Sequence, residues 1–296
     1  MKISVTERET FKRCERQWML SSKSRGNLSR LVVKPHFTLG TLVHHTLARW
    51  ALDPESNPVD IFKSYSVKHI RKLRQSFYDF AGKSIKEEEL DNIYRVVGLG
   101  ISMMRQYHEY WGQPLPKGYF LVQPEQQFEI PIPDTEHFLT GRLDAVVRDD
   151  NGLLYILENK TYSRVPTDHY LKMADQFVAY RWILEKMNIG PVKGVLYNGI
   201  EKTEYTDRCK RPLSSLFCRK LIVHTPSQVK EFEIFLTADV KKMYSADIKT
   251  TNRRWEGCDD CDYDPLCTAI SLDEDYEYIR SSLYGPRDKL ETTYEE

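Results

Sequence analysis

The 296-residue sequence predicts an α/β fold in which a mixed central sheet is flanked by helices. Before residue 118, apolar residues recur at the three- and four-residue spacing of helices. After that point, short apolar runs separated by turn signals indicate strands, interrupted and followed by further helices. We therefore expect a helical region at 1–118, a sheet-containing core at 119–248, and a cysteine-rich segment with an acidic tail at 249–296.

The helical region contains three long periodic stretches. Apolar residues in Leu39–Trp50 fall at helical spacing, and 57–80 and 84–111 predict two further long helices. The Pro- and Gly-rich stretch 112–118 then breaks the pattern. We expect the helical region to end there.

The core is predicted to contain five strands and two helices, and its second and third strands form a β-hairpin. The expected strands are Phe120–Ile132, His137–Arg148, Leu153–Thr161, Val192–Gly199 and one near Phe217–His224. The expected helices are Thr167–Met187 and Thr225–Tyr244, the second opened by a Thr-Pro pair. The Asp-Asp-Asn-Gly sequence at 149–152 favours a tight turn. The second and third strands should therefore be antiparallel neighbours.

Composition and charge limit the class of protein. No apolar run has the ~18 residues needed to cross a bilayer, and the charged N-terminus does not resemble a secretion signal. We therefore expect a cytoplasmic protein without a membrane partner. The net charge is zero, but residues 1–34 hold nine Lys/Arg against three Asp/Glu. This basic segment, and the acidic one at 272–296, are either solvated faces or parts of a local positive groove.

Two carboxylates and a lysine lie on the predicted hairpin. Asp144 is in its first strand and Glu158 in its second, and cross-strand neighbours lie roughly 5 Å apart. Lys160 is two residues beyond Glu158 and therefore on the same face. Two carboxylates with a nearby ammonium suit a Mg²⁺ or Mn²⁺ site for phosphodiester hydrolysis. The alternative is a surface hairpin with an ordinary Glu–Lys pair, but the apolar run at 153–157 indicates a buried strand.

These residues resemble a known family. Gly141-x-x-Asp144 followed by Glu158-x-Lys160 is similar to the catalytic core of the PD-(D/E)XK nucleases. Gln176-x-x-x-Tyr180 and Gly40-x-x-x-His44 match motifs of the RecB-like branch, which includes the RecB/AddB nuclease domain. One departure is Leu143, which stands where the superfamily name has proline.

The resemblance implies a role for each matching residue. The metal ligands would be the side chains of His44, Asp144 and Glu158 and the backbone carbonyl of Asn159. Lys160 would position or activate the attacking water.

Four further residues have lesser expected roles. Gln176 and Tyr180 would contact the DNA backbone or hold the site in shape. Glu125 would assist, and His45, on a different helix face from His44, would not be a ligand. On its own, a helical histidine such as His44 is more often structural than a metal ligand, and it is the downstream motifs in the right order that favour the ligand.

Four cysteines form a second constellation. Cys258-x2-Cys261-x5-Cys267 can wrap one metal centre, and Cys14 is the candidate fourth ligand. Spacing alone allows either a 4Fe-4S cluster or a Zn²⁺ site with four thiolates. The pattern resembles that of the iron–sulfur RecB-like nucleases, including CRISPR-associated members, which favours the cluster. It would clasp the N- and C-terminal parts of the chain together.

The resemblance implies a metal-dependent DNA exonuclease acting on single-stranded DNA or DNA ends, in recombination, repair or DNA processing. The sequence has no phosphate-binding loop, so it carries no helicase motor of its own, and a helicase or a recombination or adaptation complex is a candidate partner. Two alternatives stay open. One is a non-catalytic DNA-binding or assembly subunit with a vestigial site, and the other is a CRISPR-adaptation nuclease that trims spacer precursors.

Overall fold

The structure is a computed structural model, in which the described residues are 1–32, 35–82, 84–206, 209–245 and 255–290. The predicted region boundary at 248 and the end of the acidic tail lie outside the described residues. No helix among the described residues is long and apolar enough to span a membrane.

Helices make up most of the described chain. They are α1 (Val5–Arg13), α2 (Glu15–Ser21), α3 (Pro35–Leu52), α4 (Pro58–Ala81), α5 (Glu87–Trp111), α6 (Asp168–Met173), α7 (Asp175–Met187), α8 (Pro226–Tyr244), α9 (Trp255–Cys258), α10 (Asp264–Leu272), α11 (Tyr276–Leu283) and α12 (Arg287–Leu290). Local signals explain several ends. Gly112 ends α5 in the left-handed conformation (φ 64°), and Thr225 opens α8 through a capping box with Gln228.

The strands are β1 (Lys2–Ser4), β2 (Leu28–Arg30), β3 (Tyr119–Pro131), β4 (Phe138–Asp149), β5 (Leu154–Tyr162), β6 (Val192–Glu201), β7 (Phe217–Ile222) and β8 (Tyr284–Pro286). In the main sheet, β3 and β5 are antiparallel to β4, and β6 runs parallel to β5 and antiparallel to β7. The short β1 pairs in parallel with the start of β4. This mixed central sheet with flanking helices confirms the predicted α/β class.

Two sequence predictions were wrong in detail. The region expected to be helical also contains β1 and β2, which are three residues long and too short to give a periodic pattern. The helix expected over Thr167–Met187 is two helices, because Ala174 adopts an extended conformation between them. The break lets Asp175 start α7 and receive Arg8 at 3.0 Å and Lys12 at 2.6 Å from α1. These ion pairs come from distant sequence and leave no local signal.

The sheet separates two apolar layers. Val146 and Ile156 join the large core formed with α1, α7 and α8. The neighbouring Ala145 and Leu157 belong to a separate cluster on the opposite face. A third cluster, built from α3, α4 and α5, reaches the sheet at Ile200 on β6. The end of β5 therefore lies between helices from both sides.

The two ends of the described chain also meet. Strand β2 pairs with β8, and the Tyr263 hydroxyl donates to the carbonyl of Leu28 at 2.6 Å. The rings of Tyr263 and Tyr284 stack beside this bond, within an apolar cluster that includes Leu266. Direct protein contacts thus join the N-terminal and C-terminal regions.

Candidate active site

The predicted carboxylates lie at the open end of the β4–β5 hairpin. The turn is held by Asp149, whose Oδ1 accepts hydrogen bonds from the backbone of Asn151 and Leu153. The last pair of the ladder is Ala145 with Leu157, so continuing the register by one residue places Asp144 opposite Glu158. Their side chains therefore share a face of the sheet. The structure brings together the two carboxylates that the sequence singled out.

Glu158 is the most deeply buried of these groups, with a side chain only 2% exposed. Its Oε1 accepts from Lys160 Nζ at 2.7 Å and from Gln176 Nε2 at 3.2 Å. Its Oε2 is buried and has no hydrogen-bond partner. Burial, reinforced by the charge of Asp144, raises the pKa of Glu158 to about 7. An unsatisfied buried carboxylate oxygen is costly, which indicates that a ligand completes this group.

Asp144 is held by two donors. His44 on α3 lies 2.9 Å from its Oδ1 through Nδ1, and the backbone N–H of Asn159 donates to Oδ2 at 2.8 Å. Burial alone would raise the pKa of Asp144, but His44 and the Asn159 N–H lower it. Burial would likewise lower the pKa of His44, and the Asp144 charge and hydrogen bond raise it. Asp144 is therefore ionised at neutral pH, and His44 contacts this carboxylate directly.

Lys160 provides the positive charge of the site. Its side chain is one-third exposed, at 34%. Burial works to lower its pKa, but the charge and hydrogen bond of Glu158 raise it. The ammonium group thus stays protonated beside the carboxylates, as the sequence interpretation requires.

Gln176 and Tyr180 approach Glu158 from α7. Gln176 Nε2 donates to Tyr180 Oη at 2.6 Å as well as to Glu158 Oε1. Tyr180 is 5% exposed, and burial raises its pKa well above the usual value, so the hydroxyl stays neutral. The one-turn spacing of the two residues places both beside the same carboxylate. Gln176 is therefore in direct contact with Glu158, and Tyr180 reaches the carboxylate through Gln176.

Glu125 on β3 is a third carboxylate, close to Asp144. The register of β3 with β4 places Glu125 opposite Asp144, and its backbone adopts a positive φ of 46°. Arg142 Nη1 lies 3.4 Å and His45 Nδ1 lies 3.9 Å from Glu125 Oε1. The interaction with His45 lowers the pKa of Glu125 most. Burial acts in the opposite direction, and the charge of Arg142 lowers the pKa further. The predicted accessory residue is therefore an ionised neighbour of the site.

A buried polar network behind Asn159 was missed by the sequence analysis. Asn198 on β6 donates to Asn159 Oδ1 at 2.7 Å and to Tyr107 Oη at 2.9 Å. Arg219 donates to Asn198 Oδ1 at 3.0 Å and to Tyr107 Oη at 2.8 Å, while its guanidinium lies over the Trp111 ring. The only local signal was a polar residue inside an apolar strand. The network fixes the residue whose N–H binds Asp144.

The donor set suits a hard divalent cation. Carboxylate oxygens with a nearby imidazole and carbonyl are ligands that Mg²⁺ and Mn²⁺ accept. Among the described residues, no group of three or more His, Cys, Asp or Glu is already arranged to hold a metal ion. The buried, unpaired Oε2 of Glu158 is the atom that such an ion would satisfy. The residues present therefore fit the metal that the sequence suggested.

The predicted cluster cysteines come from both ends of the chain. Cys14 lies between α1 and α2, and the other three lie in the segment that forms α9 and α10. Burial raises the pKa of the Cys261 thiol, and the charges of Cys14, Asp262 and Cys258 act in the same direction. Arg16 donates to Cys267 Sγ at 3.5 Å. Residues around Cys14 and Cys267 are thus in contact, but within the described ranges no three of these cysteines form a group that could hold a metal ion.

The sequence matches the model of the PD-(D/E)XK nuclease superfamily over residues 2–268. No curated protein matches it. Among solved structures, it is similar to a protein from Eubacterium rectale that is named, provisionally, as an exonuclease (TM-score 0.47, 11% identity, 82% of this chain and 79% of that one). It is also similar to SSO0001 (TM-score 0.35, 15% identity, 71% and 97%).

Proposed function

The chain belongs to the PD-(D/E)XK nuclease superfamily, and from that premise we propose that it is a Mg²⁺- or Mn²⁺-dependent deoxyribonuclease. We further propose exonucleolytic cleavage of single-stranded DNA or DNA ends. One observation carries the proposal: Asp144, Glu158 and Lys160 lie together on one hairpin face, with a buried oxygen of Glu158 left unpaired.

Each residue of the candidate site has its own proposed role. Asp144, Glu158, His44 and the carbonyl of Asn159 would hold the divalent ion, which supplies charge neutralisation at the phosphate and a more acidic water. Lys160 keeps its proton, so its ammonium can orient the attacking water and offset charge on the phosphate. Gln176 and Tyr180 hold the Glu158 carboxylate in its orientation. The chain's own groups thus provide position and electrostatics for phosphodiester hydrolysis.

The second part of the proposal concerns the cysteines. We propose that Cys14, Cys258, Cys261 and Cys267 bind a 4Fe-4S cluster, with a Zn²⁺ site as the alternative. Support comes from the hydrogen bond that Arg16, two residues after Cys14, donates to Cys267 Sγ at 3.5 Å, and from the charges of Cys14 and Cys258, which both act on the Cys261 thiol. Anaerobically purified protein should then show broad visible absorption and bound iron. Colourless protein with stoichiometric zinc would contradict the cluster.

The test of the nuclease is degradation of an end-labelled single strand with Mg²⁺ or Mn²⁺. Wild-type protein should shorten the strand, and Asp144→Ala or Lys160→Ala should reduce the rate by at least about 100-fold. Asp150→Ala, in the exposed turn of the same hairpin, is the matched control and should behave as wild type. Wild-type protein that degrades no DNA with either metal would instead favour a non-catalytic subunit with a vestigial site.

A further inference from the structure

Helix α4 presents a charged face that the candidate site does not explain. The segment Pro58–Ala81 contains five Lys or Arg residues and only two Asp residues. Lys63, Lys68, Arg71 and Arg74 are exposed and recur at three- to five-residue spacing, which places them along one side of the helix. These four cations, together with Val67, Gln75 and Tyr78, form what we call the α4 basic face.

Internal ion pairs do not account for this charge. Arg71 and Arg74 form no salt bridge with any carboxylate in the described part of the chain, and Lys63 is 3.9 Å from Asp60. Arg8, by contrast, contacts two carboxylates within 3.0 Å. The guanidinium groups of the α4 basic face are thus available to an anionic partner.

Aromatic side chains lie among the cations. Tyr78 is 60% exposed and Tyr94, on α5, is 50% exposed. Together with Arg71, Arg74 and Gln75 they line a cleft of about 510 Å³ between α4 and α5. Exposed tyrosines interleaved with cations are the arrangement that binds single-stranded nucleic acid, because bases stack on the rings while phosphates meet the charges.

The α4 basic face is connected to the candidate site. Lys68 Nζ lies 5.5 Å from the ring of Tyr65, and that ring lies 3.6 Å from the ring of His45. His45 in turn contacts Glu125, the neighbour of Asp144. Between Tyr65 and Tyr78 the helix rises roughly 20 Å, a length that spans several nucleotides of a DNA strand.

Acidic residues at the start of α5 limit the surface along which a DNA strand could bind. The first turn of α5 contains Glu87, Glu88 and Glu89, which would repel a phosphate chain. The favourable route therefore follows α4 past Tyr78 and does not cross the start of α5. We propose that the α4 basic face, with Tyr94, binds the single DNA strand whose end enters the candidate site. This inference rests on the proposed function for its substrate.

The test is binding of a fluorescent oligothymidylate of about 15 nucleotides in the presence of EDTA, measured by anisotropy over a series of salt concentrations. Replacing Arg71 and Arg74 together by Ala should weaken binding at least about tenfold. It should also reduce the salt slope by about 1.4, since each contact to a single-strand phosphate contributes about 0.7. Tyr78→Ala should weaken binding about fivefold or more with the slope unchanged.

The matched control replaces Lys230 and Lys241, two exposed lysines of α8, by Ala and should bind as wild type. Because EDTA removes the metal, the result does not depend on cleavage, so a failed degradation assay and a failed binding assay are separate outcomes. The inference is overturned if wild-type protein does not bind the strand. It is equally overturned if the Arg71/Arg74 variant keeps the wild-type affinity and slope, or if the α8 control weakens binding as much. Unchanged binding by Tyr78→Ala would overturn the stacking contact.

Discussion

The carboxylate site and the cysteine group differ in how the chain assembles them. Asp144, Glu158 and Lys160 lie within 17 residues on one hairpin, and the pairing of neighbouring strands sets the positions of their backbones. The cysteines lie at position 14 and at 258–267, and they approach only because the two ends of the chain pack together. The first group therefore exists before any ligand binds, with one carboxylate oxygen unsatisfied. The second depends on tertiary contacts such as the Tyr263 hydrogen bond.

The carboxylate site lowers the free energy of unfolding of the metal-free protein, because Glu158 is buried with one oxygen unpaired. The folded-state pKa of Glu158 is raised to about 7, above the unfolded value of about 4.3. Between these values the folded state holds a proton that the unfolded state lacks, so this contribution to stability is present at low pH and is lost as pH rises through 7. At pH 8 the ionised group costs about 4 kcal/mol.

Glu158→Gln should therefore stabilise the metal-free protein by about 4 kcal/mol at pH 8 and by only about 1 kcal/mol at pH 5. Urea unfolding in EDTA at both pH values measures the difference. Glu231→Gln, an exposed residue of α8, is the control. If the free energies of unfolding of Glu158→Gln and wild type differ by the same amount at pH 5 and pH 8, the ionised Glu158 does not destabilise the metal-free protein.

A smaller effect is expected behind the site. Asn198→Ala removes donors to Asn159 and Tyr107 and leaves buried polar groups unpaired, so it should cost about 2 kcal/mol of unfolding free energy. Because Asn159 binds Asp144, Mn²⁺ affinity should also fall, by about 10- to 100-fold. Calorimetric titration with Mn²⁺ tests this. Lower stability with unchanged Mn²⁺ affinity would limit the network to a structural role.

The smallest effect concerns the join between the chain ends. Tyr263→Phe removes one buried hydrogen bond to Leu28 and should cost about 1 kcal/mol of stability, measured by urea unfolding. It should leave Mn²⁺ binding at the carboxylates unchanged. Tyr278→Phe, at a tyrosine 68% exposed, is the control and should have no measurable effect. Loss of Mn²⁺ binding in Tyr263→Phe would show that the two regions are coupled.

Sequence predicted the parts of the fold that depend on local pattern. The Asp149–Gly152 turn and the apolar run of β5 predicted the hairpin, and the hairpin brought Asp144 opposite Glu158. The spacing of Gln176 and Tyr180 predicted that both lie on one helix face, and the two side chains are hydrogen-bonded to each other. The roles of these residues in metal binding and catalysis stay predictions, since side-chain position does not measure activity.

Other features depend on contacts between distant segments and had no local signal. The pairing of β2 with β8 and the break at Ala174 belong to this class. The same is true of the Asn198 network, whose partners come from α5, β5 and β7. A single sequence shows that Asn198 interrupts an apolar strand, but it does not show which buried groups it must satisfy.

The most direct test of the central claim is Mn²⁺ binding followed by electron paramagnetic resonance. We expect wild-type protein to bind Mn²⁺, Asp144→Asn to lose that binding, and Cys261→Ser to retain it, because the carboxylate site is built by the hairpin and not by the cysteines. Binding that survives in Asp144→Asn, or that disappears only in Cys261→Ser, would contradict the assignment of the divalent metal to the β4–β5 hairpin.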